Sequence, residues 1–301
     1  MKHFFIVNPA AGPHNAEQVL RQKLSLFNGR FPYDVFISSK PADTDSYIQY
    51  MRSNESGHLR FIACGGDGTI NEVANSIQSI EDASLGCYAS GSGNDYVKYY
   101  GKVEDFVELG RLFSAREESV DLMRIGNRIA VNVVDFGFDA KVAVGVEKVR
   151  RWPLLGGKHA YASGIISALL SPMFTSCIVT ADGEKLGDNK LLLCTLACGK
   201  YVGGGFRCAP RSNNADSLME VCLVKPLSRI RLIKVLSSYK NGQHLDDERL
   251  KDVVIYRRAK EVEIQTSNDM NILLDGEITP INNARVEVLP RALRFAVPQG
   301  L

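Results

Sequence analysis

A glycine-rich segment between an apolar run and a helical pattern constrains the fold of this chain most strongly. Residues 59–64 are largely apolar and typical of a buried strand, and residues 65–68 contain three glycines. Apolar side chains then recur with the i, i+3, i+4, i+7 spacing of one helix face, at Ile70, Val73, Ala74 and Ile77. Thr69 and Glu72 have the spacing of a capping box, which predicts that the helix starts immediately after the loop.

Strand and helix patterns alternate over the first part of the chain, whereas strand patterns dominate after about residue 125. An alternating β-α-β-α order predicts a parallel sheet with helices on both faces. The Gly126-Asn127 turn and seven later strand patterns predict a mainly antiparallel β domain, with helices expected only at residues 160–170 and 228–239. The sequence therefore predicts an α/β domain followed by a β domain.

Composition excludes several classes of protein. The 36 basic and 34 acidic residues nearly balance, so no strong field attracts nucleic acid and no nucleic-acid partner is expected. The seven cysteines are scattered without a CxxC pair, which argues against a zinc site or a disulfide framework and suits a reducing cytosol. The longest apolar stretch, residues 160–170, is shorter than the roughly 20 residues of a membrane-spanning helix. We therefore expect a soluble, cytoplasmic protein.

The glycine loop is suited to binding phosphate. Glycines let the backbone approach a ligand closely, and a helix N-terminus presents free N–H groups to an anion. Asp67 within this loop is an unusual partner for bare phosphate and is better explained as a partner of magnesium held by ATP. An ordinary strand-to-helix turn is the alternative.

Two further loops of small residues support a ligand site. Residues 8–12, Asn-Pro-Ala-Ala-Gly, follow the first predicted strand, and residues 91–95, Gly-Ser-Gly-Asn-Asp, follow a strand pattern at 85–89. Each loop alone is also consistent with an ordinary turn. Because the carboxyl ends of parallel strands share one sheet edge, we expect the three loops to converge there.

These motifs resemble those of the diacylglycerol kinase catalytic-domain family, particularly its bacterial soluble lipid kinases, which are related to sphingosine and ceramide kinases. The matching segments occur in family order: residues 8–12, 65–73, 91–95, 120–140 and the Asp-Gly-Glu of 275–277. NAD kinases and phosphofructokinases carry similar GGDGT loops, so the ordered set is the specific signal.

The resemblance implies an architecture and a place for the site. Residues 1–125, with about 290–301 returning as a last strand, would form a three-layer α/β ATP-binding domain of the NAD kinase and diacylglycerol kinase type. Residues 126–289 would form an antiparallel β-sandwich that binds the lipid. The resemblance places the active cleft between the two domains.

The resemblance also implies the residues that bind ATP, by matching positions: Asn8, Pro9, Gly12, Ser38, Gly65, Gly66, Asp67, Gly68, Thr69, Asn71, Ser92 and Asn94. Ser38 stands where the family commonly has Thr and keeps the hydroxyl. Asp95 would help to hold catalytic magnesium, and Asp121 matches an acid between the domains that supports an Asp–water–magnesium network. Both acids are therefore expected in the catalytic set.

The chain departs from the family after the first loop. Many relatives have a basic residue there, whereas this chain has Pro13 and His14. We expect Lys23, Lys40 or a lysine of the second domain to meet the phosphate charge instead.

A carboxylate is needed to accept the proton of the attacking hydroxyl. Asp275 and Glu277 lie two apart, which in an extended segment puts them on the same side unless Gly276 alters the path. The resemblance assigns the acceptor to this Asp-Gly-Glu motif; Glu277 is slightly favoured and Asp275 is retained as an alternative. Without the resemblance, the motif would be interpreted as a turn with solvated acids.

A second metal site is implied by the loop at residues 211–218. It resembles a family loop that binds structural magnesium, with the Asp216 side chain and the carbonyls of Asn213 and Leu218 as ligands. Oxygen ligands favour magnesium or calcium over zinc. An Asn/Asp/Ser turn before a strand is the alternative interpretation.

The expected activity is transfer of the γ-phosphate of ATP to the hydroxyl of diacylglycerol, giving phosphatidic acid. The alternatives are a kinase for a sphingoid base, ceramide or phosphatidylglycerol, an NAD kinase, or a non-catalytic nucleotide-binding regulator. Residues 148–158, which contain the only tryptophan, Trp152, suggest transient peripheral membrane contact, or else a solvated helix end. A homodimer is also considered.

Overall fold

The computed structural model describes residues 1–12, 15–149 and 160–301. The chain divides into two compact units. The first contains residues 1–122 and 289–301, and the second contains residues 123–288. The last long strand, β16 (Glu277–Val297), belongs to both units, because its first part lies in the second and its last part in the first.

The first unit is built on a parallel sheet with the order β2-β1-β3-β4. Its strands are β1 (Lys2–Val7), β2 (Tyr33–Ile37), β3 (Leu59–Gly65) and β4 (Ala83–Ala89). The end of β16 adds a further parallel strand, with Phe295 opposite Leu85. Every residue of β3 and β4 is buried, as expected for central strands of a parallel sheet covered on both faces.

In the described part of the first unit, four helices accompany this sheet: α1 (Ala16–Ser25), α2 (Pro41–Asn54), α3 (Asp67–Ile77) and α4 (Leu109–Phe113). Short 3₁₀ turns span Val97–Tyr99 and Val103–Val107. Phe5 of β1 belongs to a core with Leu20 of α1 and Leu112 of α4, whereas the ring of its neighbour Phe4 contacts Tyr47 of α2. Alternate side chains of β1 therefore pack against helices on opposite faces.

The start of α3 differs from the prediction. The helix begins at Asp67, inside the glycine loop, and its N-cap is Gly66, which makes no side-chain cap hydrogen bond. The predicted capping box of Thr69 and Glu72 is therefore wrong, because Thr69 already lies within the first turn. This earlier start places the Asp67 carboxylate at the positive end of the helix.

The second unit is a largely antiparallel sheet with the order β14-β13-β12-β7-β15-β16, and β9 pairs with both β15 and β10. Strand β5 (Arg116–Ile125) begins in the first unit and ends in the second. The other strands of the second unit before β16 are β6 (Arg128–Ala130), β7 (Val133–Gly137), β8 (Thr175–Ser176), β9 (Ile178–Ala181), β10 (Glu184–Leu186), β11 (Lys190–Leu191), β12 (Leu193–Ala197), β13 (Met219–Val224), β14 (Val254–Ala259) and β15 (Glu261–Leu274). The predicted order of an α/β domain and an antiparallel β domain is confirmed.

The described residues place three helices beside this sheet: α5 (Phe138–Val149), α6 (Ala160–Leu170) and α7 (Arg229–Lys240). The sequence predicted α6 and α7 but missed α5, because its valine-rich start continues directly from the strand pattern of β7. Gly145 of α5 and Gly164 of α6 approach so closely that a β-carbon on Gly145 would lie 3.1 Å from the Cα of Gly164. These two glycines allow α5 and α6 to pack tightly.

The strand pair β15 and β16 is longer than predicted. Patterns at 261–266 and 271–274 merge into β15, and the register shifts between Gln265 and Met270. A two-residue turn then leads into β16, with Leu274 opposite Glu277.

Helices able to cross a bilayer are absent from the part of the chain that the structure describes. All seven cysteines are buried thiols without a disulfide.

Candidate active site

The first two loops of the first unit are joined through Asn8. The amide nitrogen Nδ2 of Asn8 donates to Oγ1 of Thr69 at 3.2 Å, and its backbone N–H donates to the carbonyl of Cys64 at 3.1 Å. The side-chain oxygen of Asn8 accepts the N–H of Ala10 at 3.0 Å. One side chain thus folds the first loop and ties it to the glycine loop.

The third loop packs directly on the glycine loop. The N–H groups of Ser90 and Gly91 both donate to the carbonyl of Gly65 at 3.0 Å. A β-carbon on Gly91 would lie 2.3 Å from the Cα of Gly66, and one on Gly12, whose φ is +85°, would lie 2.1 Å from the carbonyl oxygen of Ser90. The glycines are required because the three loops approach one another at main-chain distance.

Asp67 connects the start of α3 to the third loop. Its carboxylate accepts the backbone N–H of Asp95 at 3.0 Å and that of Tyr96 at 2.9 Å. Burial, and then the neighbouring charge of Asp95, raise the pKa of Asp67, although the two N–H groups act in the opposite direction. The nearby negative charges of Asp67 and Asp95 favour a cation beside them.

The turn of the third loop is closed by Asn94, which has a left-handed backbone with φ of +51°. Its Oδ1 accepts the N–H of Gly91 at 3.1 Å, and its Nδ2 donates to the carbonyl of Gly91 at 2.7 Å. Lys98 lies 2.7 Å from the Asp95 carboxylate. Asn94 therefore shapes the loop, and Lys98 offsets part of the charge of Asp95.

The predicted ATP-binding residues divide by exposure. Pro9, Gly12 and Ser92 are exposed, and the residues of 66–68 are partly exposed. Five of the predicted residues are buried within the first unit, namely Ser38, Gly65, Thr69, Asn71 and Asn94. The hydroxyl of Ser38 donates to the carbonyl of Lys40 at 3.2 Å. The exposed backbone at the N-terminus of α3 is suited to phosphate.

Asp121 makes a contact that sequence reasoning did not anticipate. It is buried, and its carboxylate accepts the backbone N–H of Arg291 at 2.7 Å. Arg291 has a φ of +50°, so this bond holds a left-handed residue within β16. The structure therefore gives Asp121 a role in fixing the path of β16; its role toward magnesium stays a prediction.

The Asp-Gly-Glu segment forms a tight hairpin in the second unit. Asp275 and Gly276 have φ of +49° and +90° and form the two-residue turn between β15 and β16, as expected of a type I′ turn. The buried carboxylate of Asp275 accepts three backbone N–H groups at 2.7–3.0 Å, those of Val131, Asn132 and Val133. The turn interpretation is therefore right about the backbone, but the acid is not solvated.

Glu277 has a different environment from Asp275. Its side chain is half-exposed and lies 2.6 Å from Arg128, which also donates to the hydroxyl of Thr279 at 3.1 Å. The expectation that the two acids share a side is wrong, because the turn directs one carboxylate inward and leaves the other at the surface.

An apolar hollow of about 680 Å³ adjoins this hairpin within the second unit. Glu277 and Gly276 lie on its wall together with Val142, Leu273 and Ile278. Asp139 is the buried acid on the same wall. Glu147 also lies on this wall, and the remaining lining residues are aliphatic or glycine. An aliphatic wall with a small number of polar groups is typical of a site for an apolar ligand.

Asp139 belongs to a buried acidic pair that sequence reasoning missed. Burial raises the pKa of Asp139 to about 6, partly offset by a hydrogen bond with Tyr239. Burial and the charge of Asp139 also raise the pKa of Asp135, whose Oδ1 accepts the hydroxyl of Thr195 at 2.7 Å. Both acids lie in the 120–140 motif. Their spacing of four residues, across the junction of β7 and α5, was the feature of the sequence that could have indicated the pair.

The predicted magnesium loop has a different electrostatic partner. The Asp216 carboxylate pairs with Arg258 and accepts the N–H of Leu218 at 3.2 Å, while Oδ1 of Asn213 accepts the N–H of Ala215 at 3.1 Å. Arg258 thus supplies positive charge at the position where the metal is predicted. The described residues contain no cluster of three or more His, Cys, Asp or Glu side chains able to hold a metal. The magnesium site stays a prediction.

Other predicted residues are placed only in part. Lys23 donates to the carbonyl of Val107 at 3.3 Å, and Lys40 lies 4.0 Å from Asp43. Pro13 and His14, and residues 150–158 of the predicted membrane segment with Trp152, lie outside the described residues.

Comparison with known proteins identifies the two domains. Residues 2–125 match the model of the diacylglycerol kinase catalytic domain. Residues 132–297, more than half of the chain, match the model of the YegS C-terminal NAD kinase beta sandwich-like domain.

The chain is similar over most of its length to named bacterial proteins. A Chromohalobacter salexigens protein named Probable lipid kinase YegS-like is 29% identical, over 82% of this chain and 79% of its own. A Bacillus subtilis protein named Diacylglycerol kinase is 25% identical, over 90% and 88% of the respective chains.

The fold is similar to solved structures. A Bacillus anthracis structure described as a diacylglycerol kinase matches with a TM-score of 0.70 at 18% identity, over 99% of this chain and 97% of that one. A second structure from the same organism reaches a TM-score of 0.77 at 20% identity, over 100% and 98%. The chain therefore belongs to the lipid kinase family in which a diacylglycerol kinase catalytic domain precedes a YegS C-terminal NAD kinase beta sandwich-like domain.

Proposed function

We propose that this chain is an ATP-dependent lipid kinase that transfers the γ-phosphate to the hydroxyl of diacylglycerol and so forms phosphatidic acid. The observation that carries the proposal is the apolar hollow beside the Asp-Gly-Glu hairpin, because it offers a lipid a hydrophobic wall next to a carboxylate. The name of the Bacillus subtilis relative supports diacylglycerol as the first acceptor to test.

The three glycine loops are the proposed ATP site. Phosphate groups would meet the N-terminus of α3, where the first N–H groups of a helix have no partner within the helix. Asp67 and Asp95 fit magnesium, since their carboxylates lie close together and this ion is commonly bound by one or two carboxylates plus phosphate oxygens. Bound magnesium would neutralise the charge that develops on the transferred phosphoryl group.

Glu277 is the proposed proton acceptor. Its half-exposed carboxylate lies on the wall of the hollow and pairs with Arg128. Asp275 is less suited, because three backbone N–H groups already occupy its carboxylate. In this proposal the hydroxyl proton passes to Glu277 while the hydroxyl oxygen forms a bond to the γ-phosphorus and the bond to ADP breaks.

The test is phosphate transfer from labelled ATP to diacylglycerol in mixed micelles. Loss of a general base typically costs about 10²- to 10⁴-fold, so Glu277→Gln is expected to lose transfer by that amount. Asp67→Ala is also expected to lose transfer. Glu287→Gln is the matched control, because Glu287 lies in the same strand and pairs with Arg124 at 2.6 Å.

A panel of acceptors distinguishes the alternatives. Ceramide, a sphingoid base, phosphatidylglycerol and NAD are compared with diacylglycerol under identical conditions. Faster transfer to one of them would reassign the substrate. Binding of ATP without transfer to any acceptor would favour a nucleotide-binding regulator, and full activity of Glu277→Gln would remove Glu277 from the mechanism.

A further inference from the structure

Helices α6 and α7, and the segment that follows α6, expose large aliphatic and aromatic side chains on the second unit. These are Ile166, Leu170, Phe174, Ile230 and Ile233, with exposed fractions between 45% and 81%. We call these five residues the apolar face. Single exposed apolar residues are common on soluble proteins, but a group on two neighbouring elements indicates an interaction surface.

The C-terminal end of α6 meets the N-terminal end of α7. Arg229 of α7 donates from Nε to the carbonyl of Leu169 at 2.6 Å and from Nη2 to that of Ser171 at 3.1 Å. Ala168 of α6 and Leu232 of α7 pack into the same core. Since Arg229 joins the two helix ends and both helices share one core, the exposed residues at this junction, Leu170 and Ile230, lie on neighbouring parts of the surface.

Several cations around the apolar face have no carboxylate partner. Residues 160–176 contain no charged side chain, and α7 contains four basic residues and no acidic one. Arg231 of α7 is neutralised by Asp252. Within the described ranges, no carboxylate lies within 4.0 Å of four further cations on or beside this face, namely Lys141, Lys190, Arg229 and Lys234.

Two of these cations lie directly against the apolar face. Lys141 donates to the carbonyl of Phe174 at 3.2 Å, and the Lys190 ammonium lies 5.2 Å from the centre of the Phe174 ring. Lys234 is exposed on α7 next to Ile233. The surface therefore combines an apolar centre with a cationic rim.

We propose that the apolar face docks on an anionic phospholipid bilayer. Aliphatic and aromatic side chains would enter the boundary between headgroups and acyl chains, and the lysines and Arg229 would meet the lipid phosphates. The four cations without a carboxylate within 4.0 Å favour an anionic surface over an uncharged partner. The inference extends the proposed function, because a lipid kinase takes its substrate from a membrane.

The test is sedimentation of the full chain with vesicles in the absence of ATP and diacylglycerol. Vesicles of phosphatidylglycerol and phosphatidylcholine are compared with vesicles of phosphatidylcholine alone. Wild-type protein is expected to bind the anionic vesicles. The triple variant Leu170→Ser, Ile230→Ser, Ile233→Ser is expected to bind them at least about tenfold less, since the apolar area that enters the boundary is lost.

Lys234→Glu provides an independent variant. A basic residue near an anionic surface contributes about 1 kcal/mol, so reversing this charge is expected to lower binding to anionic vesicles at least about fivefold. The matched control is Leu26→Ser with Tyr50→Ser, two residues of the first unit that are 76% and 60% exposed. The control is expected to bind as wild type, and unchanged unfolding midpoints would show that all variants are folded.

Three results would overturn the proposal. Wild-type protein could fail to bind anionic vesicles, the triple variant could bind as wild type, or the triple variant could abolish a dimer in sedimentation velocity while vesicle binding stays unchanged. The last result would assign the face to contact between two copies.

Failure of the proposed function has a separate signature. A wild type that phosphorylates no lipid, together with loss of vesicle binding in the triple variant, would overturn the kinase proposal and leave the docking face supported. Transfer to a water-soluble short-chain diacylglycerol is expected to remain at the wild-type rate in the triple variant.

Discussion

The three glycine loops of the first unit and the acid hairpin of the second unit both use an aspartate to hold main-chain N–H groups, but they differ in what surrounds it. Asp67 lies among glycine loops that approach one another at main-chain distance, and burial followed by the charge of Asp95 raises its pKa. Asp275 lies in a turn whose partner N–H groups are more than 140 residues away in sequence. The comparison teaches that close main-chain packing at glycines shapes the loops, whereas hydrogen bonds between residues far apart in sequence fix the hairpin.

Replacement of Asp275 is expected to have the largest effect. In Asp275→Asn one amide oxygen can replace Oδ1, but Nδ2 would face the N–H of Val131, which now donates to Oδ2 at 2.7 Å. A buried donor without an acceptor costs about 3 kcal/mol of unfolding free energy, measurable by urea denaturation. Glu277→Gln is the control, expected to change stability by less than about 1 kcal/mol because its ion pair with Arg128 is half-exposed. Equal losses would contradict the assignment of separate roles.

Replacement of Gly91 tests the first region. In Gly91→Ala the new β-carbon would meet the Cα of Gly66, so the loops must separate and the proposed phosphate contacts shift. Displacement of about 1 Å commonly costs about a hundredfold in rate, measured as kcat/KM for ATP. Gly110→Ala is the matched control, since the nearest atom to its β-carbon would lie at 3.9 Å. Wild-type ATP kinetics in Gly91→Ala would mean that the loop contacts do not position ATP.

Asp139 offers a test by pH. Its pKa is raised from 3.8 to about 6 on folding, so between these values the folded chain keeps a proton that the unfolded chain has released. Stability from this group is therefore highest at low pH and is lost as pH rises through about 6, by about 3 kcal/mol. Asp139→Asn is expected to flatten this decline in urea titrations between pH 4 and 7. Glu147→Gln in the same helix should keep the wild-type slope; an unchanged slope in Asp139→Asn would show that the acid titrates normally.

The loop at Asp216 is expected to give the smallest effect. Because Arg258 already pairs with this carboxylate, chelation with EDTA should shift the melting temperature by less than about 1 °C. The Arg258→Met variant then tests whether magnesium can replace the guanidinium. A large drop in melting temperature of wild type on chelation would favour the predicted structural magnesium over the ion pair.

The glycine loops of the first unit and the strands that carry them were largely predictable from sequence, because their signals are local. A buried strand, a glycine loop and a helical face lie within about twenty residues around Asp67, and the parallel order implies a shared sheet edge. The predicted start of α3 was wrong by three residues, since the N-cap is Gly66 and not Thr69.

The second unit could be predicted from sequence only in outline. The environment of Asp275 depends on N–H groups of residues 131–133, and periodicity does not report such distant pairing. Asp139 was missed because the start of α5 continues the apolar pattern of β7. Sequence therefore located Asp275 and Glu277 but did not show that the first is buried and the second half-exposed.

The path of β16 has a consequence for biosynthesis. Residues 289–301 complete the sheet of the first unit, although they are made after the whole second unit. During translation the early strands must wait for this last strand while the intervening residues fold. Ribosome-bound nascent chains that lack the final strand should therefore expose an incomplete sheet edge, a surface suited to chaperone binding.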